Sequence, residues 1–197
     1  MNVARGLALV GLLIACTLPA GCDQGGTEAG AVNGLTFTFS GALSGSYTAA
    51  GTPVLAQGGE LQFGSWAIAA EADSLGGLVL AAFRPAEEPR GDLFVLQISP
   101  LRAGVFTPCE PNADCHGRVL FGYEAGLFDH YFEIVSGSVT IGAIENHRLR
   151  GTFQFLARDE GGTGEQTLTV GDGEFDLPFA TAAESDAVLC MIESESC

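Results

Sequence analysis

The sequence predicts an all-β fold, arranged as an antiparallel β-sandwich or, alternatively, as a closed β-barrel. From residue 35 onward, apolar and polar side chains alternate with a period of two, which is typical of half-buried strands. The 28 glycines are spread over the 197 residues without a fixed period, which suits a protein with many tight turns. Roughly nine short strands without a long helical period therefore indicate an antiparallel β-domain.

The first strand is "LTFTFS", in which Leu35, Phe37 and Phe39 lie on one face. The alternation continues to Tyr47, so we expect one long strand that Gly41 and Gly45 bend or bulge. Further strands are predicted over 65–72, 77–83, 92–98, 118–124 and 131–141.

The last third of the chain has the clearest strand pattern. "SGSVTIGAIENHRLRGTFQFLAR" predicts a hairpin with its turn near 145–147. The residues expected to face inward on its two arms are Val139, Ile141, Phe153, Phe155 and Ala157. In the next segment, "QTLTVGDGEFDLPF", the Asp172–Gly173 pair predicts another tight hairpin turn, and Pro178 is expected at a strand end or edge.

Three motifs follow one another within residues 136–179: a G-x-V-x-I strand, a GTF-x-F-x-A strand and a closing G-x-F segment. This order resembles a family of bacterial secreted or lipoprotein β-domains of unknown function, and a looser match extends back to about residue 60. The resemblance implies an all-β envelope domain and brings no catalytic residue with it.

Residues 1–21 have the pattern of a secretory leader: Arg5, then the apolar run "GLALVGLLIA", then small residues before a cysteine. The run is shorter than the stretch of about 20 residues that crosses a membrane. The cysteine at its end resembles a bacterial lipoprotein signal, in which the chain is cut before a Cys that then carries lipid. The protein is therefore expected in the bacterial cell envelope, anchored to a membrane and either periplasmic or surface-exposed.

Two cysteines compete as the lipid attachment site. Cys16 in "LIAC" fits the aliphatic–small–small pattern fully, whereas Cys22 in "PAGC" has Pro at the first position. Cys22 is nevertheless preferred, with Cys16 as the alternative, because it allows a longer leader and leaves four downstream cysteines that can all pair. Residues 22–33 then form a flexible tether, 34–180 the β-domain, and 181–197 an acidic tail that could hold one short helix.

The charge balance excludes one class of partner. The chain has 24 Asp and Glu against eight basic residues, all Arg, so its net charge is −16. Nucleic acid would be repelled, and no basic stripe offsets that repulsion. Because there is no Lys, Schiff-base chemistry and a P-loop lysine are also excluded.

The stretch "CEPNADCHG" is the most site-like in the chain. Cys109, Cys115 and His116 could bind zinc. Glu110, Asn112 and Asp114 could bind calcium. The ligand spacings of both site types are incomplete. A disulfide between Cys109 and Cys115 is preferred, with a second between Cys190 and Cys197. No metal or other cofactor is predicted.

Catalytic motifs are weak. The histidines at 116, 130 and 147 match no metal or triad spacing, and Glu71 with Asp73 is best interpreted as a solvated strand end rather than an acid/base pair. Gly64 and Trp66 form a G-x-W that resembles the first-strand signature of lipocalins, which implies a closed barrel holding a small apolar ligand.

These observations predict a lipid-anchored, non-catalytic binding or structural module that recognises a protein or a glycan. The alternative is a lipocalin-like barrel carrying a small apolar ligand, and an envelope hydrolase is third. Recognition is expected through a face of the sheet or through loops such as 84–91 and 108–117. The acidic loop "RPAEEPRGD" and Trp66 are the first places to look for a site.

Overall fold

The computed structural model describes residues 33–72, 77–99, 103–106, 109, 115–124, 126–160 and 166–193. The leader, residues 22–32 of the tether and both candidate lipidation cysteines, Cys16 and Cys22, lie outside these residues. The strands are β1 Gly34–Gly41, β2 Gly45–Ala50, β3 Trp66–Ala72, β4 Gly77–Pro85, β5 Gly91–Ile98, β6 Gly104–Phe106, β7 Cys115–Tyr123, β8 His130–Glu145, β9 Arg148–Asp159 and β10 Thr167–Pro178. A helix, α1, spans Ala182–Glu193.

The all-β class is confirmed, and of the two predicted arrangements the structure has the barrel alternative. One antiparallel sheet, in the order β2-β1-β10-β9-β8-β7-β5-β4-β3, curls until it is nearly closed, and β6 pairs with β8 outside this path. A single sheet of this length buries one face by rolling up rather than by packing against a second sheet.

The barrel closes where its two edge strands, β2 and β3, approach each other. All neighbouring strands along this path pair antiparallel, so β2 and β3, the first and the last of the nine strands, run in the same direction. They therefore need the long connection 51–65 between them. Ala67 N donates to Gly51 O at 3.0 Å, and beyond the end of β10 Ala180 N donates to Ala69 O at 2.8 Å. Residues just beyond the ends of β2 and β10 thus form hydrogen bonds with β3, which leaves little of the β3 edge unpaired.

Aromatic rings fill the barrel interior. Phe37 of β1, Phe94 of β5 and Phe153 of β9 come from strands around the barrel, yet their ring centroids lie only 5.2–5.8 Å apart. Tyr47 stacks on Phe37 at 4.7 Å. All four side chains are buried, so the inward half of the period-two pattern forms a packed core.

A second apolar cluster lies on the outer face of β3, β4, β5 and β7, where α1 covers it. Ile68, Val79 and Val95 point outward from neighbouring strands and pack with Val188 of the helix. Strands β4 and β5 are consequently buried on both faces, whereas β9 and β10 alternate between buried and exposed residues. This explains why "GLVLAAF" and "DLFVLQI" are continuously apolar.

Two sequence predictions about strand continuity are wrong. The stretch from Leu35 to Tyr47 is a hairpin, because the chain reverses after Gly41, which has a φ of +123°, and β2 pairs with β1. The Asp172–Gly173 pair is a bulge inside the continuous strand β10 rather than a turn. Asp172 adopts a φ of +50°, and the register against β9 shifts between Val170 and Gly173.

The hairpin predicted in the last third of the chain is confirmed. Strands β8 and β9 pair over their length, and Asn146 and His147 form the two-residue turn with φ values of +51° and +56°. The five residues expected to face inward are all buried. Pro178 is the last residue of β10, as expected for a residue without an N–H.

Candidate functional site

A groove on the outside of the barrel, beside α1, is the strongest candidate site. We call it the outer groove: its floor is Trp66, Phe83 and Tyr123, one wall is the loop 55–63, and the other is the first three turns of α1. Its volume is about 780 Å³, within the range of about 300–1,000 Å³ that is usual for small-molecule sites.

The loop wall is a small hairpin flap inside the β2–β3 connection. Gln62 N donates to Val54 O at 2.8 Å and Ala56 N donates to Glu60 O at 2.8 Å, with Leu55 and Leu61 bridged between them. Gly58 and Gly59 form the tip with φ values of +128° and +91°, a conformation that residues with a Cβ rarely adopt. The flap therefore depends on this Gly-Gly pair for its shape.

The floor is aromatic because outward positions of two paired strands bring the rings together. Trp66 is paired with Phe83 in the β3–β4 register, and their rings stack with centroids 6.0 Å apart. Phe63 of the flap contacts Phe83 edge-on at 5.7 Å and is 41% exposed. Phe63 thus links the flap to the floor and presents apolar surface to a ligand.

Helix α1 is held at both ends, which fixes the second wall. At its start Thr181 and Glu184 form a capping box: Thr181 N donates to Glu184 Oε2 at 2.8 Å, and Glu184 N donates back to Thr181 Oγ1 at 3.4 Å. At its end the carbonyl of Met191 accepts from Tyr123 Oη at 2.9 Å, and that of Ile192 accepts from Arg118 Nη2 at 2.6 Å. Burial raises the pKa of Tyr123, which keeps this hydroxyl a donor.

A second groove lies on the other side of α1, with a volume of about 610 Å³. It contains Arg118, whose Nε is buried without a hydrogen-bond partner, and Glu133. A hydrogen bond with Glu160, followed by burial and the charge of Glu160, raises the pKa of Glu133. Because the Arg118 Nε is not accessible from the groove, this groove is a weaker candidate than the outer groove.

The described carboxylate and histidine candidates from the sequence do not form a buried cluster. Glu71 and His147 line a cleft of about 560 Å³ at one barrel end, together with Glu145 and Asp186, and all four are exposed. Asp73 lies outside the described residues. His130 stacks on Phe132 in β8, and His116 lies in β7. Side chains that act as catalytic acids or bases often have pKa values shifted by burial, and exposed side chains lack that burial.

The disulfide predicted between Cys109 and Cys115 is confirmed. Both sulfurs are bonded to each other, so the zinc alternative loses its two thiolate ligands. Cys190 is also disulfide-bonded, while Cys197, and with it the predicted pairing, lies outside the described residues. The proposed calcium ligands at 110–114 lie outside them too. Among the residues that are described, no group of three or more His, Cys, Asp or Glu side chains could hold a metal ion.

The sequence pointed to one part of the outer groove and missed the rest. Trp66 was singled out, and it lies on the groove floor, whereas the loop at 84–91 contributes only Pro89. The flap and Phe63 were missed, although "QGGE" is a turn signal that could have revealed the flap. Phe83 was placed on a strand, but a strand that is apolar on both faces does not reveal which residues point outward.

Comparison with known proteins does not assign the chain to a family. A scan against protein-family models finds no match, and no curated protein or solved structure matches the chain. The resemblance to bacterial secreted or lipoprotein β-domains therefore stays a prediction. Within the part of the chain that the structure describes, no helix has the length and apolar character needed to cross a membrane.

Proposed function

We propose that this protein is a lipid-anchored, non-catalytic binding protein of the bacterial cell envelope, and that it binds its ligand in the outer groove. The observation that carries the proposal is the exposed Phe63 ring above the Trp66–Phe83 stack, between a flap and a helix that is anchored at both ends. Such a concave, largely apolar, preformed site is typical of small-ligand binding.

The packed interior favours this outer site over a ligand held inside the barrel. A lipocalin-like carrier needs an internal cavity, whereas here Phe37, Phe94 and Phe153 meet at the centre. The three grooves described above all open at the surface. Internal ligand carriage would require these rings to separate, at the cost of close-packed contacts.

Ligand binding in the outer groove is tested with 1-octanol, a neutral apolar probe, by following tryptophan fluorescence. Trp66 is the one tryptophan of the chain, so the signal reports on this site alone. We expect saturable binding that Phe63→Ser weakens roughly tenfold, the effect of removing about 1.4 kcal/mol of apolar contact. Phe128→Ser is the matched control, since Phe128 is 43% and Phe63 41% exposed. Equal weakening by both variants, or no binding, would contradict the proposal.

The anchor is tested separately. We expect mass spectrometry of the N-terminal peptide to find lipid on Cys22, and Cys22→Ser to move the protein from the membrane to the soluble fraction. Cys16→Ser is the control and should leave the protein in the membrane fraction. An unmodified Cys22, or release by Cys16→Ser alone, would assign the anchor elsewhere.

A further inference from the structure

Among the described residues that line the outer groove, every charged side chain is a carboxylate. Glu60 lies on the flap, Glu124 follows the strand that holds Tyr123, and Asp186 lies on α1, so the three carboxylates come from three separate elements. No Arg or His is among the lining residues that the structure describes, and the chain has no Lys.

Little of this negative charge is neutralised by neighbours. Glu60 and Asp186 have no ion pair among the residues that the structure describes. Arg90 Nε lies 3.3 Å from Glu124 Oε2, but Arg90 Nη1 also lies 3.0 Å from Asp129 Oδ2. One guanidinium is thus shared between two carboxylates, and this trio keeps a net negative charge.

The apolar floor favours a ligand with an apolar body, and the carboxylates favour a positively charged group on that ligand. An apolar molecule with a cationic group could place its body against Phe63 and the Trp66–Phe83 stack while its charge stays at the rim. The exposed ring of Phe63 can also attract a cation. An anion would instead meet the carboxylates of Glu60 and Asp186 and the field of a chain whose net charge is −16.

We propose, on the basis of the function proposed above, that the ligand is a small apolar molecule bearing a single positive charge. The carboxylates of Glu60 and Asp186 select it over neutral and anionic molecules of the same shape. The groove volume of about 780 Å³ lies within the range that is usual for small-molecule sites.

Three probes with the same eight-carbon chain separate the charge from the apolar body: octylammonium, 1-octanol and octanoate. Each is titrated into the full-length protein at neutral pH and low ionic strength, with Trp66 fluorescence as the readout. We expect octylammonium to bind roughly tenfold more tightly than octanol, and octanoate to bind more weakly than octanol. Raising the salt concentration should reduce the octylammonium preference and leave octanol binding unchanged.

A double variant identifies the groups responsible. Glu60→Gln with Asp186→Asn should lower octylammonium affinity to that of octanol without changing octanol affinity. The control, Asp172→Asn with Glu174→Gln, removes the same charge from exposed positions of β10 that do not line the groove and should keep the preference. The charge selection alone would be overturned if the wild type bound octylammonium and octanol with equal affinity. It would also be overturned if the groove variant still preferred octylammonium to octanol. Failure of all three probes to bind would overturn the proposed function as well.

Discussion

Tyr47 shows at the scale of one residue how the barrel is held closed. Its hydroxyl lies 2.7 Å from Ala82 O and 3.1 Å from Asp92 O, linking edge strand β2 to β4 and β5. Arg84 sits over the Tyr47 ring at 4.9 Å and is paired with Asp92. Burial, and after it the charge of Asp92, raise the pKa of Tyr47 well above its ordinary value, so the hydroxyl remains a donor.

Tyr47→Phe should therefore reduce the free energy of unfolding by about 1–2 kcal/mol, because two carbonyl groups lose their shared donor in a buried place. Urea unfolding measures the effect. Tyr131→Phe is the control: Tyr131 is only partly buried and its ring packs at a tilt against Phe128, so its change should stay within about 0.5 kcal/mol. Equal effects of the two variants would mean that the Tyr47 hydroxyl does not stabilise the closure.

At the scale of elements, β8 and β9 are joined by a two-residue turn in which both residues must adopt a positive φ. Asn146 tolerates this conformation, but His147 at φ +56° carries a Cβ that is strained there. His147→Gly should raise the free energy of unfolding by roughly 0.5–1 kcal/mol, and thermal unfolding measures it. The control is Asn146→Ala, which should destabilise the hairpin. A lower melting temperature for His147→Gly would contradict this account of the turn.

The elements also show how far the sequence could predict the structure. Where one face of a strand is solvated, as in β8 and β9, the alternation indicated the strands, the turn and the inward residues correctly. It failed at Gly41 and at Asp172–Gly173, because the same residue types serve turns, bends and bulges, and only the pairing partner decides among them.

The candidate site was harder to predict than the fold because its parts meet only in three dimensions. Trp66 and the flap precede α1 by more than a hundred residues along the chain, and the helix covers the sheet through the outward residues of apolar strands. "TAAE" at 181–184 carries the capping-box signal for the start of α1, but no local pattern states which strands the helix packs against.

The strong negative charge of the whole molecule makes its stability depend on pH. The Glu133–Glu160 pair shows this locally: its hydrogen bond raises the pKa of Glu133, so the folded state holds a proton more tightly than the unfolded chain does. The free energy of unfolding should then fall as pH rises from the ordinary value of about 4.5 through the raised pKa of Glu133.

Glu133→Gln should remove this part of the pH dependence, because the amide still donates to Glu160 and does not ionise. We expect the variant to match the wild type at acidic pH and to be more stable at neutral pH, as measured by urea unfolding at a series of pH values. Glu174→Gln makes the same change in net charge at an exposed position of β10. If it reproduces the effect of Glu133→Gln, the pH dependence comes from overall charge and not from the pair.

The whole molecule combines a barrel filled by its own side chains with a groove on its outer surface, and our central claim is that ligands bind in that groove. The most direct test is a two-dimensional 15N–1H spectrum of the protein titrated with octylammonium, because the single tryptophan gives a single indole N–H signal. We predict that the Trp66 indole signal and the amide signals of Phe63 and Ala187 shift together and saturate. A ligand that shifts the amide signals of Phe37, Phe94 and Phe153 while the Trp66 indole stays unchanged would contradict the claim.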